Sequence, residues 1–376
     1  MMGRSFDPPV STSNLYAPDI DRVSKIFAGA FDRDGRLLSG HLVDQLETRL
    51  CGYHQSKYCV AFSTGFWALV AAVRSKSLSG KSQVIMPSFT YRRLADVVFW
   101  ADKMPVMVDI DLETLAIAPD AVKANITEQT ALILAVHPIV NCCDVDALIA
   151  VATECQIPIV FDAVESVHET ISGRRVGSWG VGEVFSFHAS KLINGVEGGY
   201  VCTDDQPLRN TLVAFRSGQL GEASSIGIHS IMNDGHAAFA LAGLDELEIN
   251  VQHNRQIYQR YEAQLSTIPG ILILKFDQNE QSSFKNVVAE VTDRFPISRD
   301  ALVANLNEHG ILARAHYSPA LHTKSYRYAV ETTAMPNTES IMTRLINLPC
   351  GQRVTKQDVD GVCRFIDSLA RQANDE

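Results

Sequence analysis

The chain has 376 residues, which at roughly 150 residues per domain makes about two to three units, or one large α/β unit with a smaller one. Hydrophobic residues at 46% and charged residues at 20% exclude a disordered chain or a fibrous repeat. Thirty-three Lys+Arg against forty-three Asp+Glu leave a formal charge of -10, the wrong sign for gripping nucleic acid or an anionic membrane, so any anionic ligand must be held locally.

Residues 1–35 show little periodicity apart from a predicted helix Asp19–Phe31, and are expected to form an arm that packs on the body or on a neighbouring subunit. From 58 to 203, short β-branched runs alternate with helical-period stretches, as when parallel strands are joined by crossover helices. Strands are predicted at Tyr58–Phe62, Gln83–Met86, Pro105–Asp109, Ala131–Val136, Ile157–Phe161, Glu183–Phe187 and Tyr200–Thr203. Helices are predicted at Phe66–Ser77, Tyr91–Asp102, Pro119–Asn125 and Val145–Glu154, with prolines at several boundaries. A helical segment His236–Leu265 leads into strands Ile271–Lys275 and Val287–Val291, helix Arg299–His309, strand Ala313–His316, a loop to about Asn347 and helix Lys356–Arg371. The expected organisation is an arm (1–35), a large α/β domain (36–250) with a mainly parallel sheet and helices on both faces, and a small C-terminal α+β domain (251–376).

No apolar run approaches the ~18 residues that span a bilayer, and the opening MMGRSFDPPVSTSN lacks a basic-then-apolar leader, which reads as a cytoplasmic protein. The cysteines at 51, 59, 142, 143, 155, 202, 350 and 363 form no CxxC pair and no metal spacing with histidine, so buried thiols and no metal are expected. The adjacent Cys142 and Cys143 are a redox candidate on proximity alone.

Ligands of parallel sheets collect at the carboxyl ends of strands. The run IPIVFDAVES puts Asp162 at the end of an apolar strand, where an ionised side chain is costly without a cation or hydrogen bonds. The run EVFSFHASK places Ser186, His188 and Lys191 at or just past the next strand end. The run YCVAFSTGFWAL reads as strand, small-residue turn, then helix, a start that suits a phosphate. An acid, a lysine and a phosphate cradle on separate strand ends are what pyridoxal phosphate (PLP) needs. Each feature alone also has a plain reading, the lysine as a solvated surface group and the aspartate as a cap or turn former.

The chain resembles the DegT/StrS-type sugar aminotransferases, fold-type I PLP enzymes, from the Ser39–Gly40 region to the end. The matching stretches are VAFSTGFWAL, VIMPSFTY, PVMVDID, VNCCDVDAL, VFDAVES, VFSFHASKLINGVEGGYV, NDGHAAFALAGL, GILARAHYSPALH and LINLPC. SFHASK followed by EGG is the most specific, and is similar to the branch that aminates position 4 of nucleotide-linked 4-keto-6-deoxy sugars. The resemblance implies that Lys191 is the Schiff-base lysine and then the proton-moving base, and that Asp162 partners the pyridine nitrogen. It places Glu165 near the phenolic oxygen, where the family has glutamine or histidine. Ser186 and the Gly65 turn would bind phosphate, and Tyr91 would lie on the ring or simply be a core aromatic.

His188 is implied as a catalytic or substrate-facing residue, and His137, Asn194, Tyr317 and His322 as substrate-side candidates, each with ordinary packing as the alternative. Asn194 and Glu197 are expected to shape the loop after the lysine, with Gly198 and Gly199 allowing close backbone approach. Phe66 stands where the family has a hydroxyl beside the phosphate, and His229 where relatives extend an asparagine to the neighbouring subunit's cofactor; Ile231 replaces a basic residue, and Val181 an aspartate. Arg92 and Arg93 replace small or hydroxyl residues and suit a carboxylate or diphosphate, or a solvated helix face. The expectation is a homodimer with shared active sites that moves an amino group from glutamate or glutamine onto a nucleotide-linked 4-keto-6-deoxy sugar. The alternatives are a family member repurposed to an amino acid, a cyclitol or another reaction, and a catalytically silent paralogue.

Overall fold

The computed structural model describes residues 6–12, 15–218 and 227–372. An eight-stranded sheet runs in the order Glu331–Thr332, Met104–Val108, Gln83–Pro87, Thr130–Val136, Ile159–Asp162, Gly182–Ser186, Gly199–Thr203 and Tyr58–Phe62. Its central strands are buried on both faces, as in TALILAV at Thr130–Val136, where every residue is buried. Successive side chains alternate between two cores: Leu132, Leu134 and Val136 join one, and Ile133 and Ala135 the other. Helices Gly65–Lys76, Leu94–Trp100 and Gln206–Ser217 cover the first face. Helices His41–His54, Pro119–Ala124, Val145–Glu154 and Asp234–Asp245 cover the second. A large mixed, mostly parallel sheet and a smaller C-terminal antiparallel sheet are thus formed, as expected from the sequence.

All expected strands of the large sheet form, but Gly199–Thr203 runs antiparallel to both neighbours. Its connection, residues 187–198, is a loop that carries no crossover helix. The reversal brings Gly199 back to the edge where the other strands end, beside Ser186 and Phe62.

The small sheet is antiparallel, in the order Ile271–Ile273, Val287–Val291, Leu345–Leu348 and Arg314–Ala315. Its core takes Tyr258 and Tyr261 from helix Leu247–Leu265, Leu302 and Leu306 from Arg299–Glu308, and Val359, Val362 and Ile366 from Lys356–Gln372. Helix Leu247–Leu265 serves both cores, with Leu247 and Val251 packed on the large-domain side and Ile257, Tyr258, Tyr261 and Leu265 on the small. The passage between domains therefore lies inside one helix.

Three expectations are corrected. The segment His236–Leu265 is two helices, Asp234–Asp245 and Leu247–Leu265, broken at Glu246, whose carboxylate accepts the Asp19 amide at 2.9 Å. The loop to Asn347 contains helix Pro336–Ile341, strand Leu345–Leu348, and Glu331–Thr332, which returns to edge the large sheet against Val106 and Met107. Helix Tyr91–Asp102 shortens to Leu94–Trp100, because residues 91–93 form a turn closed by the Leu94 amide on the Tyr91 carbonyl.

Of the arm, residues 1–5 and 13–14 lie outside the described residues. Val10–Ser11 pairs in parallel with Ile311–Leu312 of the small domain of the same chain, and helix Ile20–Ala28 begins at an Asp19 cap. No helix among the described residues is long and apolar enough to cross a membrane. The eight cysteines are free. Burial pushes the Cys142 thiol up to about 11, against His137, the opposite of an activated thiolate, so the redox reading of Cys142 and Cys143 gains no support.

Candidate active site

The carboxyl ends of the parallel strands open onto a cavity of about 1110 Å³, closed on its far side by the small domain. Its wall carries five cationic side chains, Arg92, Arg93, Lys191, Lys285 and Arg314, against three acidic ones, Asp162, Glu165 and Glu197. An acidic chain has thus built a locally cationic chamber, suited to an anionic ligand.

At one end, Thr64 is extended (φ -149°, ψ 154°) and its hydroxyl caps helix Gly65–Lys76 by accepting the Trp67 amide at 3.2 Å. The amides of Gly65 and Phe66 lie in the first turn, where no intrahelical acceptor exists. A Cβ on Gly65 would stand 3.0 Å from both Cβ and Oγ of Ser186, so glycine is what lets turn and strand end meet. The Ser186 hydroxyl accepts the His188 amide at 3.2 Å. Phe66 offers no hydroxyl; the Arg93 guanidinium lies over its ring at 5.2 Å and also pairs with Asp96 at 3.2 Å.

Deeper in the chamber, Asp162 Oδ1 accepts the Val164 amide at 3.1 Å, while Oδ2 is buried and has no hydrogen-bond partner among the described residues. Burial raises this carboxyl to about 6, against the pull of that amide and of Lys191. Lys191 projects from the loop after the Ser186 strand and bonds the Glu165 carboxylate. The other Glu165 oxygen accepts Lys285 Nζ at 2.7 Å. Burial opposes ionisation of Glu165, but the two ammonium groups outweigh it and hold the carboxyl far below its ordinary range. The Glu165 carboxylate is therefore doubly compensated.

The loop after Lys191 is held under tension. Val196 sits at φ 65°, a costly region for a β-branched residue. Asn194 secures it, accepting the Val196 amide at 2.7 Å and donating to the Tyr16 carbonyl of the arm at 2.5 Å.

Of the residues expected from sequence, Gly65, Phe66, Tyr91, Arg92, Asp162, Glu165, Ser186, His188, Lys191 and Tyr317 line the cavity. Tyr91 is 42% exposed on its wall. His188 is exposed and ties to Ser190 Oγ at 2.9 Å, with Glu197 at 3.7 Å. Tyr317 packs on His316, whose imidazole burial drives down to about 3 and so keeps neutral. His137, Asn194, His229 and His322 do not line it. His137 is buried behind Asp162, stacked on Phe161 and bonded to Glu183 at 3.2 Å. His322 clasps Ser88 Oγ at 2.7 Å, joining the small-domain segment to a strand end. His229 is exposed on the surface of the chain.

Sequence reading missed Lys285, Asn286, Arg314 and Asn347, which form the small-domain wall. Their one signal is that Lys285 and Asn286 directly precede the apolar strand Val287–Val291, a placement that repeats the logic of Asp162 in reverse.

The profile of the DegT/DnrJ/EryC1/StrS aminotransferase family matches residues 22–367. The chain belongs to that family. Among solved structures it is similar to DesI, determined in the presence of its TDP-sugar product, at 29% identity and TM-score 0.92, covering 99% of this chain and 95% of that one. It is similar to S. venezuelae DesV, in complex with a ketimine intermediate, at 25% identity and TM-score 0.82 over 94% of this chain and 95% of that one. The fold is also that of the PLP form of the putative sugar aminotransferase Spr1654 from Streptococcus pneumoniae, at 24% identity and TM-score 0.85 over 97% of this chain and 99% of that one. DegT/DnrJ/EryC1/StrS aminotransferases are PLP-dependent. The residues present here fit that cofactor: Asp162 Oδ2 is an acceptor without a donor among the described residues, the Gly65–Ser186 turn is a cradle that a Cβ would fill, and Lys191 lines the same chamber with an amine.

Proposed function

We propose that this protein is a PLP-dependent aminotransferase that moves an amino group from glutamate or glutamine onto a nucleotide-linked 4-keto-6-deoxy sugar. The observation that carries this reading is a chamber lined by both Lys191 and Asp162, whose buried Oδ2 has no hydrogen-bond partner among the described residues. PLP, when bound, supplies a carbonyl that takes up the migrating nitrogen and a ring that withdraws electrons. Asp162 Oδ2 would accept the pyridine N–H, a charge-assisted bond that repays its burial. The first-turn amides of Gly65 and Phe66, with the Ser186 hydroxyl, would bind the phosphate. Tyr91 would cover the ring, and Lys191 Nζ would take and return a proton at the reacting carbons. Arg92 and Arg93 at the chamber wall would hold a diphosphate, with His188, Tyr317 and Arg314 on the substrate side.

The chain would work as a homodimer with shared sites. Its support is the exposure of large apolar side chains near the N-terminus, where Leu15, Ile20 and Leu37 are each more than half exposed. His229 would then reach the neighbouring subunit's cofactor.

The test is spectroscopic and then chemical. The visible band of the PLP-loaded protein should bleach on addition of glutamate or glutamine, and a nucleotide 4-keto-6-deoxy sugar should restore it while gaining an amine. The loss of the hydroxyl at Phe66, with Arg93 laid over its ring, favours a second reading in which the acceptor carries no nucleotide. Bleaching restored by small keto acids or a keto-cyclitol, and not by the nucleotide sugar, selects it. A protein that stays colourless with PLP would be a silent paralogue.

A further inference from the structure

Glu165 sits three residues past Asp162, and its carboxylate is shared between two buried ammonium groups from different parts of the fold. Lys191 comes from the large domain; Lys285 comes from the small domain, two residues before the strand it leads into. The side chains of Lys285, Lys191 and Glu165 are 10%, 16% and 17% exposed. A carboxylate and a single ammonium at such burial would form a tight, water-excluded pair, because attraction strengthens as the surroundings lose polarity. An amine committed to such a pair has no lone pair to offer a carbonyl carbon. The second lysine changes this balance: it satisfies one carboxylate oxygen itself and repels the first ammonium.

We propose that Lys285 is a positioning residue, whose ammonium shares the Glu165 carboxylate so that Glu165 does not lock Lys191 in an ion pair and Lys191 Nζ can engage the cofactor carbonyl. This rests on reading the chamber as a PLP site. The other groups electrostatically coupled to Glu165 do not substitute for Lys285: Asp162 is acidic, His316 is buried and neutral, and Tyr317 is held protonated by burial. Beside Lys285 itself lies the Cys350 thiol, which burial pushes up to about 12 and so keeps uncharged. Burial pulls Lys285 below the ordinary lysine range, and the Glu165 carboxylate opposes that pull.

The test is a double-mutant cycle read by covalent trapping rather than turnover. Wild type, Lys285→Met, Glu165→Gln, the double variant and Lys285→Arg are incubated with PLP across a pH series, reduced with borohydride and mapped for pyridoxyl mass at Lys191. Lys285→Met should be trapped about tenfold more slowly near neutrality and recover about one pH unit higher, since a tenfold change corresponds to one unit. Glu165→Gln should remove this penalty, so the double variant matches Glu165→Gln to within about twofold, and Lys285→Arg should track wild type. Two results would overturn the proposal: Lys285→Met trapped like wild type at every pH, or a double variant as impaired as Lys285→Met. Absence of trapping in wild type would instead remove the cofactor reading beneath it. Circular dichroism of each variant separates a trapping defect from misfolding, and the Lys285→Arg result stands even where Lys285→Met does not fold.

Discussion

Gly199 lies backbone to backbone against Gly65, so closely that a Cβ on Gly199 would overlap the Gly65 Cα and N and come 2.8 Å from the Phe185 carbonyl oxygen. The antiparallel return strand thus presses the phosphate turn into place. A single methyl at Gly199 has backbone, not a flexible side chain, to displace. Gly199→Ala should cost about 1–3 kcal/mol of stability and push the Gly65 turn outward, lowering PLP affinity. Thermal unfolding with and without PLP checks both effects; unchanged PLP binding would place the phosphate elsewhere.

Asp162 gives a pH signature in the cofactor-free protein. Its carboxyl is raised to about 6 in the folded chain, above the ordinary aspartate range, chiefly by burial. A raised carboxyl means that the folded state is favoured when the group is protonated, so its contribution to stability is full below about pH 4 and is lost as pH rises toward 6. Asp162→Asn removes that loss. The apo variant should therefore exceed apo wild type by about 2 kcal/mol at pH 7–8, the gap closing toward pH 4. With PLP present the order should reverse, because the variant cannot hold the pyridine N–H as a charged acceptor does. Urea unfolding at several pH values, with and without PLP, reads both halves; an excess of the apo variant over apo wild type no larger at pH 8 than at pH 4 would contradict the burial account.

These features differ in how far the sequence reveals them. Strands such as Thr130–Val136 were legible because burial on both faces demands an unbroken apolar run. Asp162 was legible because a carboxylate closing such a run has to be compensated. Lys285 was not, since its meaning comes from Glu165, 120 residues earlier, and no local pattern reports that meeting. Glu331–Thr332 was missed for a related reason: two exposed polar residues carry no strand signal, and their pairing with Val106 and Met107 is imposed by the returning chain. Asn194 and His137 were read as substrate-side because they follow informative strands, whereas Asn194 spends its polar atoms on Tyr16 and Val196 and His137 on Glu183 and Cys143.

The position of His137 separates scaffold from chemistry. Its ring is 1% exposed, lies parallel to Phe161 with centroids 5.4 Å apart, and holds one Glu183 oxygen while the other accepts the Gly177 and Trp179 amides. His137→Phe should keep the stack but leave a buried carboxylate oxygen unpaired, costing about 3 kcal/mol. The expected result is a lower melting temperature with the PLP absorption band unmoved. A shifted band at unchanged stability would return His137 to the reacting groups.

Arg92 and Arg93 are predicted to act on the acceptor and not on the amino donor. Both line the chamber wall, Arg92 with an exposed side chain and Arg93 already paired with Asp96. Arg92→Ala should weaken inhibition by a nucleoside diphosphate about tenfold and flatten its salt dependence, as expected on losing one guanidinium–phosphate contact. The bleaching half-reaction with glutamate should be unaffected. Equal weakening of both half-reactions would mean that Arg92 shapes the cavity and does not recognise phosphate.

His229 offers a test of shared sites. It is exposed and absent from the lining of its own chain's cavity, on the segment that precedes the Asn233-capped helix Asp234–Asp245. If it completes the neighbouring subunit's site, Lys191→Ala and His229→Ala homodimers should each be inactive or weak, because both of their sites lack one residue. Mixed after dissociation, half the dimers become hybrids, and each hybrid holds one site missing both residues and one missing neither. Random pairing then restores about a quarter of wild-type activity. Hybrids that form, as shown by a tag on one chain, yet recover nothing would confine His229 to its own subunit.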